Sequence, residues 1–376
     1  MPEPTPTLLS PIERGLNERL ICLHDEIKGH HVLRGVNRIA VTLYDERSDI
    51  LKSFAHSSDG ECPFSHLTQR MSDQPVLRQL ARTGARRVIN DIASTAGRAS
   101  GHGSLLLASG YLSSYTVPVQ HKGTLYGFLF FNSFRAGFFS TRVIQRLRPY
   151  AEAIALMVMR ELDTVRMMTA AVKVIRQVSS ARDEETASHL ARMARYAQLI
   201  ASKLAAGKGL ADEFVEFVFQ FCPLHDVGKV AVPDSILLKP GNLTDEEVAI
   251  MRTHVTSGVK IVDMMIRDFG ICSLPHSQML RNIVGFHHEA IDGSGYPYGL
   301  KGLEIPFEAR IAAVADVFDA LTSKRPYKDA WSNERALDLL RREAGRKLDA
   351  DCVAIMLENV PAIEDIQSRF GDSATD

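Results

Sequence analysis

Apolar and polar residues alternate at Ile39, Val41 and Leu43, the two-residue period of a half-buried strand over residues 38–44, and a second strand-like run follows at 50–55. The spacing predicts helices over 12–33 and 73–82, a short strand at 87–90 and a Gly/Ser-rich loop over 93–104. Two apolar-rich runs, 114–119 and 125–132, flank His121-Lys122-Gly123-Thr124, which reads as a hairpin. Strands, helices and closing hairpin together predict an α+β sheet domain.

From Thr141 the pattern turns helical, with neither Gly nor Pro between Tyr150 and Ala206. Leu147, Ala151, Ile154, Val158, Glu161, Val165, Met168, Val172 and Ile175 step by four and three, and only Glu161 is polar. That is a heptad seam, and it predicts a homodimer joined along this helix. Met157, Met159, Leu162 and Met167 widen the apolar face, which is the pattern of a helix packed on its own domain. Further helical spacing covers 182–204, 215–221, 244–265, 277–288, 307–321 and 333–345, so the C-terminal half is expected to be all-α.

Composition adds bounds. With 376 residues and 45% hydrophobic content, two domains can each bury a core. The net charge of -1 offers no basic stripe for nucleic acid. Five cysteines without a C-x-x-C pair argue against a disulfide framework and against a thiolate zinc site. Residues 1–11 lack a signal-peptide pattern, and the apolar run 125–131 is broken by Gly127 and too short to span a bilayer. A cytoplasmic protein without membrane attachment is the expectation.

The candidate chemistry lies in the helical half. Glu185 and His189 stand four apart and leave one helix face together. His225 and Asp226 are adjacent after an apolar helix, His254 sits within the next, and His287 and His288 close a fourth. Asp316 is embedded among Ala312, Ala313, Val314, Ala315, Val317 and Phe318, where an ionised carboxylate is costly to bury without a cation. Imidazole and carboxylate without thiolate suit Fe, Mn, Ni, Co or Zn, and eight ligands exceed what one ion takes, which predicts two or three ions. Lys229, one turn after His225 and Asp226 if the helix continues through Gly228, and the later Arg325 and Lys328 would ring such a centre with positive charge, which suits a phosphate ester or diester.

His225-Asp226-Val227-Gly228-Lys229 resembles the HD-phosphohydrolase signature, and His287-His288-Glu289 with Asp292-Gly293-Ser294-Gly295-Tyr296-Pro297 resembles its HD-GYP subgroup. Pro233-Asp234, Leu238-Lys239-Pro240-Gly241, Ile305-Pro306, the helix from Asp316 through Asp319 and Arg325-Pro326-Tyr327-Lys328 match in the same order. Ala187 and Ala290-Ile291 depart from the common pattern without removing a ligand. The resemblance implies a metal-dependent phosphodiesterase that hydrolyses cyclic di-GMP to pGpG and GMP. It implies metals, commonly iron or manganese, held by His225, Asp226, His254, His287, His288 and Asp316, with Glu185 and His189 completing a third position. Asp226 and Lys229 would serve catalysis, and Lys229, Asp292, Gly293, Gly295, Tyr296, Pro297, Arg325 and Lys328 would meet substrate. Another cyclic dinucleotide, or binding without turnover, are the alternatives.

The N-terminal half, over 36–158, resembles a GAF-type sensory domain in Tyr115-Thr116-Val117-Pro118-Val119 before the hairpin and Phe138-Phe139-Ser140 after it. That likeness implies that an unknown small ligand can occupy the pocket under the sheet; Cys62, His66 and His102 are either its contacts or plain surface. The expected organisation is an N-terminal extension over 1–35, the sensory domain over 36–158, a connecting helix over 140–180 and the HD-GYP domain over 181–376.

Overall fold

The computed structural model describes residues 15–46, 48–60, 64, 67–96, 101–178, 187–268, 276–323 and 329–371. Glu185, Arg325, Lys328, Cys62 and His66 lie outside the described residues, as does the side chain of His102. The chain divides into two compact units, residues 1–163 with 211–213, and 164–210 with 214–376. Among the described residues no helix is long and apolar enough to cross a membrane.

The first unit is built on six strands, β1 (Arg38–Asp45), β2 (Ile50–Ser58), β3 (Thr68–Arg70), β4 (Arg87–Ile89), β5 (Ser113–His121) and β6 (Thr124–Ser133), in the antiparallel order β3-β2-β1-β6-β5-β4. The β5–β6 hairpin closes through Lys122 and Gly123, both at positive φ, the conformation that matches the strand twist in a two-residue turn. Helix α1 (Leu16–Gly29) buries Leu16, Leu20 and Ile27 and packs against β2, so the expected N-terminal extension is part of this unit.

Helices α2 (Pro75–Thr83), α3 (Ile92–Ala96) and α4 (Gly101–Ala108) follow, the last two where the sequence predicts a loop. Ile92 and Leu106 are buried with Phe64 and Tyr111 in one cluster, and that burial outweighs the weak helix propensity of the Gly/Ser content. Strand β3 is three residues long, too short to show a period of two.

Helix α5 (Thr141–Val178) carries the heptad seam. Leu147, Ala151, Ile154, Val158, Val165, Met168 and Val172 are each at most 3% exposed in the single chain. The polar member, Glu161, is 1% exposed and pairs with Arg19 of α1. This seam is therefore covered by its own chain and does not argue for a second copy. Among the described side chains of the helix, Leu156 and Met167 are the exposed large apolar ones, at 63% and 58%.

The second unit is all-helical: α6 (Ala187–Lys208), α7 (Asp212–Phe221), α8 (Asp234–Leu237), α9 (Asp245–Asp268), α10 (Ser277–Phe286), α11 (Phe307–Thr322), α12 (Asn333–Glu343), α13 (Ala350–Glu358) and α14 (Val360–Arg369). Helix α6 buries Met193, Ala194, Ala197, Ile200, Ala201 and Ala205 at helical spacing and packs on α11, whose buried face runs through Ala312, Ala315 and Phe318. The molecule is thus a two-domain chain, α+β followed by all-α. Helix α7 ends at Phe221, and the chain continues as two 3-10 turns, Cys222–Leu224 and Val227–Ala231, instead of a helix through Gly228.

Candidate metal centre

The junction of two 3-10 turns and four helices of the second unit brings histidines and carboxylates to one place. His225 and Asp226 sit between the turns, and the second turn rests on α9 without an intervening side chain. A Cβ on Gly228 would stand 1.9 Å from the His254 carbonyl oxygen and 2.4 Å from the Gly258 nitrogen, so only glycine lets the turn approach so closely. That approach sets Asp226 Oδ1 3.1 Å from His254 Nε2 and 3.5 Å from His287 Nε2. Asp226, His254, His287 and His288 offer ligand atoms within 4.8 Å of one another, and so does a second group, His189, His225 and Asp316. His225 Nε2 bridges the groups, 3.2 Å from Asp226 Oδ2 and 3.7 Å from Asp316 Oδ1.

Four of the imidazoles are oriented by a hydrogen bond from Nδ1. The Nδ1–H of His225 donates to the Cys222 carbonyl at 2.9 Å, that of His254 to Met251 at 2.7 Å, and that of His287 to Ile283 and Val284 at 3.1 Å each. The Nδ1–H of His189 donates to Asp319 Oδ2 at 2.7 Å. Each ring then presents the Nε2 lone pair to the carboxylates. His254 Nε2, His287 Nε2 and Asp226 Oδ1 are buried and make no hydrogen bond. Lone pairs facing a carboxylate at such distances repel unless a cation lies between them, so this donor set fits a divalent metal and is poor as a core.

The electrostatics agree. Burial alone would raise the Asp226 carboxyl, but the Lys229 ammonium, with Nζ 2.7 Å from Oδ2, and the His225 imidazole hold it well below the ordinary carboxylate range. Burial, with the His287 imidazole beside it, pushes His288 down to about 2, so it is a neutral imidazole at any working pH. The sequence places Lys229 facing the substrate of a metal centre on a continued helix; in the structure its ammonium pairs with Asp226 from a 3-10 turn.

Residues 178–352 match the HD domain family. This part of the chain is an HD domain. The chain is 44% identical to the cyclic di-GMP phosphodiesterase response regulator RpfG of Xanthomonas campestris over 193 residues, 51% of this chain and 48% of the relative. The 3'3'-cGAMP-specific phosphodiesterase 2 of Vibrio cholerae is also 44% identical, over 179 residues, 48% of this chain and 32% of the relative. The chain spans about half or less of the length of these curated relatives. Among solved structures, a GAF domain/HD domain protein from Geobacter sulfurreducens aligns with 41% of this chain and 97% of its own, at 18% identity and a TM-score of 0.31.

The loop after His288 folds back on the ligands of the HD domain. Tyr296 N donates to the His288 carbonyl at 3.1 Å, and the Tyr296 ring stacks on the His288 ring at 4.6 Å between centroids. Gly293 has φ +82°, and a Cβ on Gly295 would lie 2.3 Å from the Ala290 nitrogen, which explains both glycines. Asp292 Oδ1 accepts from Ser294 N at 2.8 Å and so shapes the turn. Pro297 follows Tyr296 through a cis peptide bond.

Sequence reasoning missed three parts of the HD domain. Asp319, 0% exposed, accepts from His189, from Arg192 at 2.7 and 3.1 Å and from the Ser323 hydroxyl at 2.8 Å; burial would raise its carboxyl, and the His189 and Arg192 hydrogen bonds hold it low. Its signal was its place three residues after Asp316 in the same apolar helix. Glu289 is buried and accepts from Tyr298 N and Leu300 N at 2.8 and 3.0 Å, pinning the loop. Arg252 places its guanidinium 4.8 Å from the Tyr296 ring centroid. No local pattern marks Arg252 in a helix start rich in charge.

Proposed function

We propose that the protein is a metal-dependent phosphodiesterase that hydrolyses cyclic di-GMP to pGpG and GMP under the control of its N-terminal sheet unit. The observation that carries this reading is the buried set of four imidazoles, His189, His225, His254 and His287, each held through Nδ1 with Nε2 turned toward Asp226 or Asp316. Asp226, His254, His287 and His288 would hold one divalent ion and His189, His225 and Asp316 a second, with Glu185 added for a third; iron is the first expectation and manganese the second. Such ions, when bound, acidify water and offset the charge of a phosphoryl group.

The chain's own groups do the rest. Lys229 keeps Asp226 ionised and presents an ammonium where charge builds on the phosphoryl oxygens. Tyr296, seated on His288 and braced by Arg252, offers an aromatic face for a guanine base or ribose. Asp292, Gly293, Gly295 and Pro297 shape the lip, and Arg325 and Lys328 bind the phosphates. A homodimer along α5 would use the face with Leu156 and Met167, and light scattering over a concentration series checks it.

Protein loaded with Fe(II) or Mn(II) and incubated with cyclic di-GMP is expected to give pGpG and then GMP on ion-exchange chromatography. Intact substrate in both preparations would overturn the reading. Because one relative of equal identity is named for 3'3'-cGAMP, the same assay is run on that dinucleotide, and faster turnover there would move the assignment to it.

A further inference from the structure

The N-terminal unit contains a buried cation that the proposed chemistry does not use. A cleft on its sheet holds about 530 Å³ of space, part of it open to solvent, and among its described lining residues are two cations, Arg38 and Lys52, and no carboxylate. Alternation along β1 puts Arg38, Ala40 and Thr42 on one face, paired across β2 with Ser58, His56 and Ser53. Phe64, Phe130, Leu51 and Leu77 give the cleft apolar walls.

Arg38 is 4% exposed. Its Nη1 donates to Asn132 Oδ1 at 2.7 Å, and its guanidinium carbon stands 4.9 Å from the Phe64 ring centroid. Both neighbours are neutral, and Arg38 has no ion pair among the described residues. Its Nε is buried with no hydrogen-bond partner, as is the Thr42 hydroxyl in the same cleft. A guanidinium taken out of water without a counter-charge is costly, and an arginine fork fits a carboxylate in geometry and charge.

We propose that this cleft binds a small organic carboxylate. Arg38 takes its carboxylate through the Nε side of the fork, Thr42 adds a hydrogen bond, and a compact apolar body packs among Phe64, Phe130, Leu51 and Leu77. Apolar walls from Phe64, Phe130, Leu51 and Leu77 suit an anion with an apolar body better than inorganic phosphate, which has none. The proposal does not depend on the reaction of the HD domain.

The test uses the full chain and isothermal titration calorimetry. Benzoate, phenylacetate and 3-methylbutanoate are compared with their amides, with inorganic phosphate and with cyclic GMP. At least one carboxylate is expected to bind with a millimolar or tighter Kd, its amide about tenfold or more weaker. Arg38→Met should abolish that binding, Arg38→Lys weaken it about tenfold and Thr42→Val weaken it less. The carboxylate-to-amide comparison needs no variant, so a misfolded Arg38→Met does not spare the proposal. Equal binding of acid and amide, binding by none of the three acids, or preference for phosphate or cyclic GMP would each overturn it.

Discussion

Asp319 and Asp226 are both buried carboxylates of the HD domain with histidine beside them, yet their surroundings are opposite. Asp319 has donors on both oxygens, from His189, Arg192 and Ser323, and the three lock α6 to α11. Asp226 has one cation, Lys229, on Oδ2, while Oδ1 faces imidazole nitrogens and makes no hydrogen bond. A buried charge whose partners are complete holds structure together. One left with surplus acceptors around it is prepared for something that is not protein. The contrast separates scaffold from ligand set more sharply than burial, since both residues are at most 6% exposed.

The comparison can be broken at either end. Asp226→Ala should remove bound metal and phosphodiesterase turnover together while the helices persist, as read by metal content per chain and far-UV circular dichroism; retained metal would put Asp226 in the scaffold class. Lys229→Ala should keep the metal and lower kcat by about 10²–10³-fold. Asp319→Ala should behave differently from both, because it leaves Arg192 and His189 buried without their partner. It should destabilise the protein by about 3–5 kcal/mol in urea unfolding, and weaken metal binding by about 10–100-fold through the loosened His189 ring.

A third carboxylate calibrates the scale. Asp349 accepts from Arg310 and caps α13 through Cys352 N at 3.0 Å; burial would raise its carboxyl, but these bonds hold it below the ordinary value. A folded value below the unfolded one, about 3.9, means that the stabilisation is present above that pH and is lost as pH falls through the folded value. Asp349→Ala should therefore cost about 1–2 kcal/mol near pH 7, and urea midpoints of variant and wild type should converge as pH falls below the ordinary carboxylate range.

The candidate ligand cluster was legible in the sequence because its residue types are ones a core rejects: Asp316 among alanines and valines, and paired imidazoles before a Gly-Tyr-Pro turn. The brace was not, because Asp319 and Arg192 meet only through the packing of α6 on α11, across 127 residues of chain. The apolar stripe on α5 was legible as a heptad seam, but a period of three and four records that a face is covered and not by whom, and here the same chain covers it. In the sheet unit, strand alternation and the Lys122-Gly123 turn were visible, whereas α3 and α4 depend on the Ile92 and Leu106 anchors in a tertiary cluster. Arg38 went unnoticed because an arginine opening a strand looks like any polar edge residue until its burial is known.

The glycine contact between Gly228 and α9 has a bearing on how such a centre keeps its dimensions. Most ligands of a protein cation are separated by layers of side chains, each of which yields a little under load. Here the main chain that carries Asp226 and Lys229 touches the main chain that carries His254, so the gap between those ligands is fixed by a backbone contact instead of a stack of rotamers. The two elements act as the jaws of a vice with no padding: a methyl group at Gly228 would force them apart and change the spacing of the site while leaving every ligand in place.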